Sequence, residues 1–348
     1  MSEDERRAEK TAFLKAAGWG GARLSPLAGD ASNRRYKRAA DGPGGARAVL
    51  MDAPSSRGED IAPFLAVTGY LRARGLSAPE ILHADIGAGF ALIEDLGDDL
   101  FARVAAAAPD REAPCYEAAV DLLAHLHEAP PPDRVAGAGA SLDMAPYDAA
   151  VLAREAALAT DWWAPHAGAP IGAAAVGVFS AALAEATAGV AMRRDAFVLR
   201  DYHAENLLWL PDRRGDARVG LLDYQDALIG ARAYDLVSLL EDARRDVDPA
   251  LAERMIRRYV AATGVAEDVF RRDYAALGAQ RNLKIVGIFA RLWVRDGKAA
   301  YLDLIPRVWA HLERDLAHPG LAGLRGAVGE TIPAPTAEAL ARVKAARA

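Results

Sequence analysis

At 348 residues the chain is longer than one average domain, and its 52% hydrophobic content with a net charge of −6 describes a globular protein with a sizeable core. The acidic balance argues against a general nucleic-acid binder, and a single cysteine, Cys115, excludes an intramolecular disulfide or a thiolate metal cluster. No uninterrupted apolar run of the roughly 18 residues a membrane span needs is present, and the charged opening M-S-E-D-E-R-R-A-E-K lacks a signal-peptide core, so the cytoplasm is the expected compartment.

Residues 11–18 predict a short leading helix that stops at Gly-Trp-Gly-Gly. The stretch L-S-P-L-A-G-D-A-S-N-R-R-Y-K-R-A then predicts a strand, a tight turn and a second strand. Gly29, Ser32 and Asn33 in that turn are candidates for cradling phosphates with backbone N–H groups and a hydroxyl, an ordinary hairpin turn being the alternative. D-G-P-G-G at 41–45 is a turn signal leading into a third strand at 48–51. Apolar residues recur at helical spacing between 59 and 74. Strands at 81–84 and 90–93 form a hairpin that runs into E-D-L-G-D, where the backbone of Glu94 and Leu96 is a candidate hinge for an adenine edge; a plain sheet-ending loop is the alternative.

Beyond residue 95 helical periodicity dominates, at 116–126, 173–188, 233–240, 250–262, 273–294 and 299–316. The Pro- and Gly-rich segment 130–142 reads as a surface linker, and 319–348 as a loosely docked tail. The expected organisation is two lobes, 1–95 carrying a small antiparallel sheet and 96–348 mostly helical, an α+β arrangement.

The stretch from 200 to 226, R-D-Y-H-A-E-N-L-L-W-L-P-D-R-R-G-D-A-R-V-G-L-L-D-Y-Q-D, carries the chemistry. Strands at 207–210 and 219–222, joined by a Pro-Asp-Arg-Arg-Gly-Asp turn, return Asp223 to the neighbourhood of Asn206. Phosphoryl transfer needs alignment, a divalent cation and a carboxylate that receives the acceptor hydroxyl's proton. Mg²⁺ takes hard oxygen donors, which assigns Asn206 and Asp223 to the metal and leaves Asp201 as the base. D-x-x-x-x-N followed by a strand and Asp is the catalytic-loop and metal-loop pattern of the kinase fold.

In these motifs the chain resembles the aminoglycoside phosphotransferase family over roughly residues 24–316. Within it, G-D-A-S-N-R-R-Y-K-R, L-I-E-D-L-G-D, L-R-D-Y-H-A-E-N-L-L-W, G-L-L-D-Y-Q-D-A and R-N-L-K-I-V-G-I-F-A-R-L are most similar to the anomeric sugar kinases of cell-wall recycling. The resemblance implies a bilobed protein-kinase-like fold and ATP-dependent phosphorylation of the C1 hydroxyl of N-acetylmuramate or N-acetylglucosamine, with Mg²⁺ and no nucleic-acid or membrane partner, as a monomer or weak dimer. Other small-molecule kinases of this fold, acting on aminoglycosides, choline or homoserine, and a non-catalytic nucleotide-binding regulator are the competing readings.

Two departures stand out. The third strand reads A-V-L-M-D, so Met51 stands where the general pattern has a lysine on the α- and β-phosphates; either another cation does that work or the clamp is weaker, and since Arg34, Tyr36 and Arg38 share one face of the second strand, Arg34 is the candidate if Tyr36 faces the adenine. Arg200 precedes the base where many relatives carry His-Gly. For the acceptor, Arg281, Lys284, Arg291 and Arg295 fall on one face of the 273–294 helix and its end, so Arg281 is expected to meet a lactyl carboxylate, a solvated basic stripe being the alternative. Asn282 beside it, and His203, Glu205 and Asp226 around the catalytic hairpin, complete the candidate acceptor contacts, although His203 also fits a loop-packing role. Asp235 is read as a brace for the catalytic loop.

Overall fold

The structure, a computed structural model, describes residues 3–27, 34–168 and 171–346. Along the chain come α1 (Glu3–Ala16), β1 (Arg23–Pro26), β2 (Arg35–Ala40), β3 (Ala48–Asp52), α2 (Ala62–Ala73), β4 (Ile81–Asp85), β5 (Phe90–Glu94), α3 (Phe101–Ala107), α4 (Glu112–Leu126), β6 (Arg134–Gly137) and β7 (Ala140–Asp143). There follow α5 (Ala149–Leu158), α6 (Ala164–Ala167), α7 (Ala173–Ala191), β8 (Ala196–Val198), β9 (Leu207–Trp209), β10 (Val219–Leu221), β11 (Leu228–Gly230) and α8 (Ala233–Leu240). The chain closes with α9 (Pro249–Thr263), α10 (Glu267–Val294), α11 (Ile305–Leu316), α12 (Ala322–Thr331) and α13 (Ala337–Ala345).

By contact the chain divides into two compact units, one holding 1–122, 132–144 and 205–227, the other 123–131, 145–204 and 228–348. The first is built on an antiparallel five-stranded sheet of order β1-β2-β3-β5-β4. Alternation along β2 sends Ala39 to the face that packs on α1, where Phe13, Leu14, Leu50, Phe90 and Leu92 form a core, and sends Arg34, Tyr36 and Arg38 to the opposite face. This unit is wider than the segment 1–95, because backbone pairing recruits the catalytic hairpin. Leu221 N–H donates to Ser77 O at 3.0 Å, and Trp209 N–H to Asp99 O at 2.8 Å.

The segment 130–142 is not a featureless linker. It folds into the β6–β7 hairpin packed on α2, where Gly69 and Gly137 face each other so closely that a Cβ on Gly137 would lie 2.6 Å from the Gly69 Cα. Small residues written as a loop signal are here a contact surface between two backbones.

The second unit is helical, organised on the 28-residue α10, with one short β8–β11 ladder. Its core joins Trp163, Phe179, Leu283, Val286, Phe289, Ile305, Val308 and Leu312. The C-terminal segment is no loose tail: Leu321, Leu324, Val328, Ile332 and Val343 belong to that same core, and Trp163 and Trp293 donate their indole N–H groups to Pro333 O and Val343 O. Burial of these aliphatic side chains, worth ~2 kcal/mol each, docks the segment. Helix α7 has the length and hydropathy of a membrane span, a property the sequence reading did not credit, but it is by those two measures alone; Phe179 and Leu183 sit in the core.

Candidate active site

In the first unit, β9 and β10 pair with Leu207 opposite Leu221 and Trp209 opposite Val219, and the ladder closes where Leu222 N–H donates to Asn206 O at 2.9 Å. Asn206 and Asp223 are thereby neighbours at one open end of the hairpin. Asp223 has φ +57°, a left-handed conformation that costs a non-glycine residue ~1 kcal/mol and needs surrounding support. The next two residues supply it. Buried Tyr224 stacks on Phe64 with centroids 5.5 Å apart and shares a 2.7 Å hydrogen bond with the Thr68 hydroxyl, while Gln225 Nε2 donates to Asp223 Oδ1 at 2.8 Å. An amide and a carboxylate held this way are a hard-oxygen pair of the kind Mg²⁺ takes. Glu205 and Asp226 are exposed on the same hairpin.

On the sheet, Arg34 Nε donates to Glu59 Oε2 at 2.8 Å with both side chains largely buried. Burial opposes the charge, but Tyr36 and Glu59 outweigh it and hold the guanidinium above its ordinary pKa. Burial likewise raises the Tyr36 phenol, with Arg34 pulling against it and Asp223 adding to it. Met51 is fully buried in β3 opposite Tyr36. Glu94 accepts from Arg213, and beside it Asp95 is bound by Arg38 Nε at 2.8 Å and Arg47 at 3.1 Å; Leu96 is half-buried. Gly29, Ser32 and Asn33 lie outside the described residues.

In the second unit the residues before Asp201 are held from below. Asp235, buried in α8, accepts the N–H groups of Leu199 at 2.7 Å and Arg200 at 2.8 Å. Burial pushes its carboxyl up to about 7, against those two bonds. Arg200 takes φ +71°, which turns the chain immediately ahead of Asp201. Its guanidinium lies over the Tyr147 ring and binds Glu155, a carboxylate that also accepts from Lys284 Nζ at 3.0 Å and from the Tyr147 hydroxyl. Burial raises the Glu155 carboxyl, yet the charges of Lys284 and Arg200 prevail and hold it below the usual range.

His203 is buried, and desolvation lowers it to about 4, so it is neutral at ordinary pH. Its Nε2 lies 3.4 Å from the half-buried guanidinium of Arg244, and Asp242, Asp201 and Arg281 also act on it.

The expected basic stripe of α10 is not one. Arg281 is 5% exposed and donates to Ser238 Oγ at 2.9 Å and Glu241 O at 3.4 Å; Lys284 is turned to Glu155; Arg295 pairs with Asp296 at the surface. Asn282 is fully buried, its amide donating to Glu241 Oε2 at 2.7 Å and Asp315 Oδ2 at 3.0 Å. The cause is that α10 is enclosed on nearly every side, so a line of polar residues along it runs through the interior and emerges only at its end.

The model of the phosphotransferase enzyme family matches residues 23–274, well over half of the chain. The chain belongs to that family. A Caulobacter vibrioides protein of the family's kind, named N-acetylmuramate/N-acetylglucosamine kinase, is 40% identical across 95% of this chain and 98% of its own, and a Pseudomonas aeruginosa protein of the same name is 35% identical across 93% and 96%. Among solved structures, a choline/ethanolamine kinase family protein from Mesorhizobium loti superposes with a TM-score of 0.60 at 17% identity, covering 99% of this chain and 100% of its own. An ADP-bound aminoglycoside phosphotransferase gives 0.57 at 10% identity, covering 90% and 99%. The protein-kinase-like fold of the phosphotransferases is therefore that of this chain.

Three side chains around the candidate catalytic loop escaped sequence reasoning. Glu155 lies on a helix, α5, that the sequence reading did not single out, Tyr147 carries no motif, and Arg244 lies in A-Y-D-L-V-S-L-L-E-D-A-R-R-D-V, a stretch that resembles the anomeric sugar kinases but in which no role was assigned to it. The one signal available for Glu155 was Arg200 itself, a cation beside the candidate base that needs a counter-charge if it is buried.

Proposed function

We propose that this enzyme transfers the γ-phosphoryl group of ATP to the anomeric hydroxyl of N-acetylmuramate and N-acetylglucosamine, feeding cell-wall sugar back into precursor synthesis. The observation that carries the chemistry is the hairpin end where Asn206 and Asp223 stand together under the support of Tyr224 and Gln225. The sugar is supported by the names of relatives 40% and 35% identical over nearly the full chain. Asn206 and Asp223 would hold Mg²⁺, which neutralises phosphate oxygens as charge develops on them. Asp201 accepts the proton of the C1 hydroxyl as its oxygen attacks the γ-phosphorus; the bond to the β-phosphate oxygen breaks and ADP leaves. Arg34, held by Glu59, takes the place of the absent lysine on the phosphates. Arg244, next to His203, is a better placed reader of the lactyl carboxylate than the enclosed Arg281.

The test is ATP consumption with N-acetylmuramate, N-acetylglucosamine, choline, homoserine and an aminoglycoside, and ³¹P NMR of the product. A sugar 1-phosphate is expected, and Asp201→Asn should lower kcat ~10²–10⁴-fold while nucleotide still binds. Turnover of choline or an aminoglycoside in preference to either sugar would overturn the assignment.

A further inference from the structure

On the face of the sheet that packs on α1, a cavity of about 390 Å³ opens between that helix, β2 and the turn after β3. Six cationic side chains line it, Arg6, Arg7, Lys10, Arg35, Lys37 and Arg57, against two carboxylates, Glu3 and Asp52. In a chain whose net charge is −6, that local excess of positive charge runs against the composition.

The excess is also structured. Asp52 is 3% exposed at the floor, with Oδ1 bound to Arg6 at 2.7 Å and Oδ2 to Lys10 at 2.6 Å, so α1 is clamped to the end of β3. Arg6 is further fixed by donating to Ala88 O at 2.6 Å and by lying over the Phe90 ring at 3.7 Å. Above this floor, among the described residues, Arg35 pairs with the exposed Glu3, at 3.7 Å, and half-buried Lys37 takes part in none of the ion pairs. A solvated basic face would spread its charges along one helix toward water. Here they converge from three separate elements on one concavity, one of them partly desolvated with no counter-ion among the described residues, an arrangement that an anion would complete.

We propose that this cavity is a second anion site that binds a phosphate-bearing small molecule. Its volume lies within the range of small-molecule pockets, and its mixture of guanidinium forks and ammonium groups suits a phosphate ester. The site is independent of the acceptor assignment. Because Arg35 and Lys37 alternate along β2 with Arg34 and Tyr36, an anion bound here rests on the same strand that presents Arg34 on its other face.

Isothermal titration with inorganic pyrophosphate tests this, on wild-type enzyme, on Asp223→Asn, on Arg35→Ala/Lys37→Ala and on the milder Lys37→Gln. Wild type and Asp223→Asn should bind one equivalent alike, with affinity falling as salt rises. The double variant should bind at least ~tenfold more weakly and Lys37→Gln should shift the same way, with kcat and the KM for ATP within ~twofold of wild type as evidence of an intact fold. Absence of pyrophosphate binding, binding unchanged in both cavity variants, or binding lost in Asp223→Asn would each overturn the proposal, the last because it would assign the anion to the transfer site.

Discussion

Replacing Glu155 by glutamine tests whether the catalytic loop is positioned from a distance. Glu155 is 8% exposed, and its carboxylate is the counter-charge for Arg200 and Lys284 together. The substitution keeps the volume and removes the charge, leaving two largely buried cations facing a neutral amide whose N–H₂ cannot accept from them. Breaking a buried ion pair on one side costs ~3–5 kcal/mol, and residual exposure of Arg200, 20% of its side chain, argues for the lower end, ~3 kcal/mol. Unfolding entropy scales to about 0.7 kcal/mol per kelvin for a chain of 348 residues, so Tm should fall by about 4 °C.

The kinetic consequence is separable. Arg200 holds a left-handed turn one residue before Asp201, and the substitution leaves that backbone to Asp235 and to the bond from Asp201 N–H to Leu199 O, without the side-chain anchor. A base displaced by a fraction of an ångström to an ångström lowers the chemical step about ten- to hundredfold. Steady-state kinetics should therefore show kcat reduced by that factor with the KM for ATP within about twofold, since the clamp acts on the turn just before Asp201. If Tm drops as stated but kcat stays within about twofold of wild type, the clamp stabilises the unit without positioning the base, and the argument fails.

Arg244→Ala should raise the KM for N-acetylmuramate at least ~tenfold and that for N-acetylglucosamine by no more than ~twofold, whereas equal effects on both sugars would remove its role as carboxylate reader. Arg34→Ala should raise the KM for ATP at least ~tenfold more than the surface change Arg103→Ala does, and no difference between them would exclude it as the phosphate cation. Fully buried His127, bound to Tyr259 and Phe197, is lowered to about 3 by desolvation, so the unfolded chain takes up its proton first as pH falls below 6.5. That contribution to stability is complete above 6.5 and is lost toward acid; between pH 8 and 5.5 it amounts to ~1.4 kcal/mol, so denaturant unfolding of wild type should lose that much more over the interval than His127→Gln does.

The parts of the fold legible in the sequence are those whose signal is local. The five-stranded sheet, α2 and the catalytic hairpin each announce themselves by alternation, by helical spacing or by a turn sequence within a dozen residues, and their observed bounds differ from the expected ones by a residue or a few at each end. Where reading failed, composition was ambiguous. Gly, Ala and Pro at 130–142 describe a flexible connection and a close backbone contact equally well, and only the partner, Gly69, decides between them. The same holds for 319–348, whose aliphatic residues are sparse in sequence yet converge on Trp163 and α10. Helix α10 failed in the opposite sense: periodicity distinguishes a polar line from an apolar one, but not a line facing water from a line facing Ser238, Glu241 and Glu155.

The candidate site divides along the same boundary. Asp201, Asn206 and Asp223 could be proposed from the sequence because the chemistry assigned to them requires fixed spacings along one short stretch of chain. The groups that hold them were not, because support is a property of space. Asp223 depends on Thr68 and Phe64, some 155 residues away, through Tyr224, and Arg200 depends on Glu155 and, through it, on Lys284. Departures from a motif are the exception, since they show where support must be sought. Met51 in place of a cation and Arg200 in place of His-Gly each leave a charge unaccounted for, and in each case a buried carboxylate accompanies the replacement, Glu59 with Arg34 and Glu155 with Arg200. A guanidinium taken out of water needs a fixed counter-charge, so an arginine that appears where the pattern lacks one predicts an acid elsewhere in the chain, and the distance between the two in sequence carries no information about it.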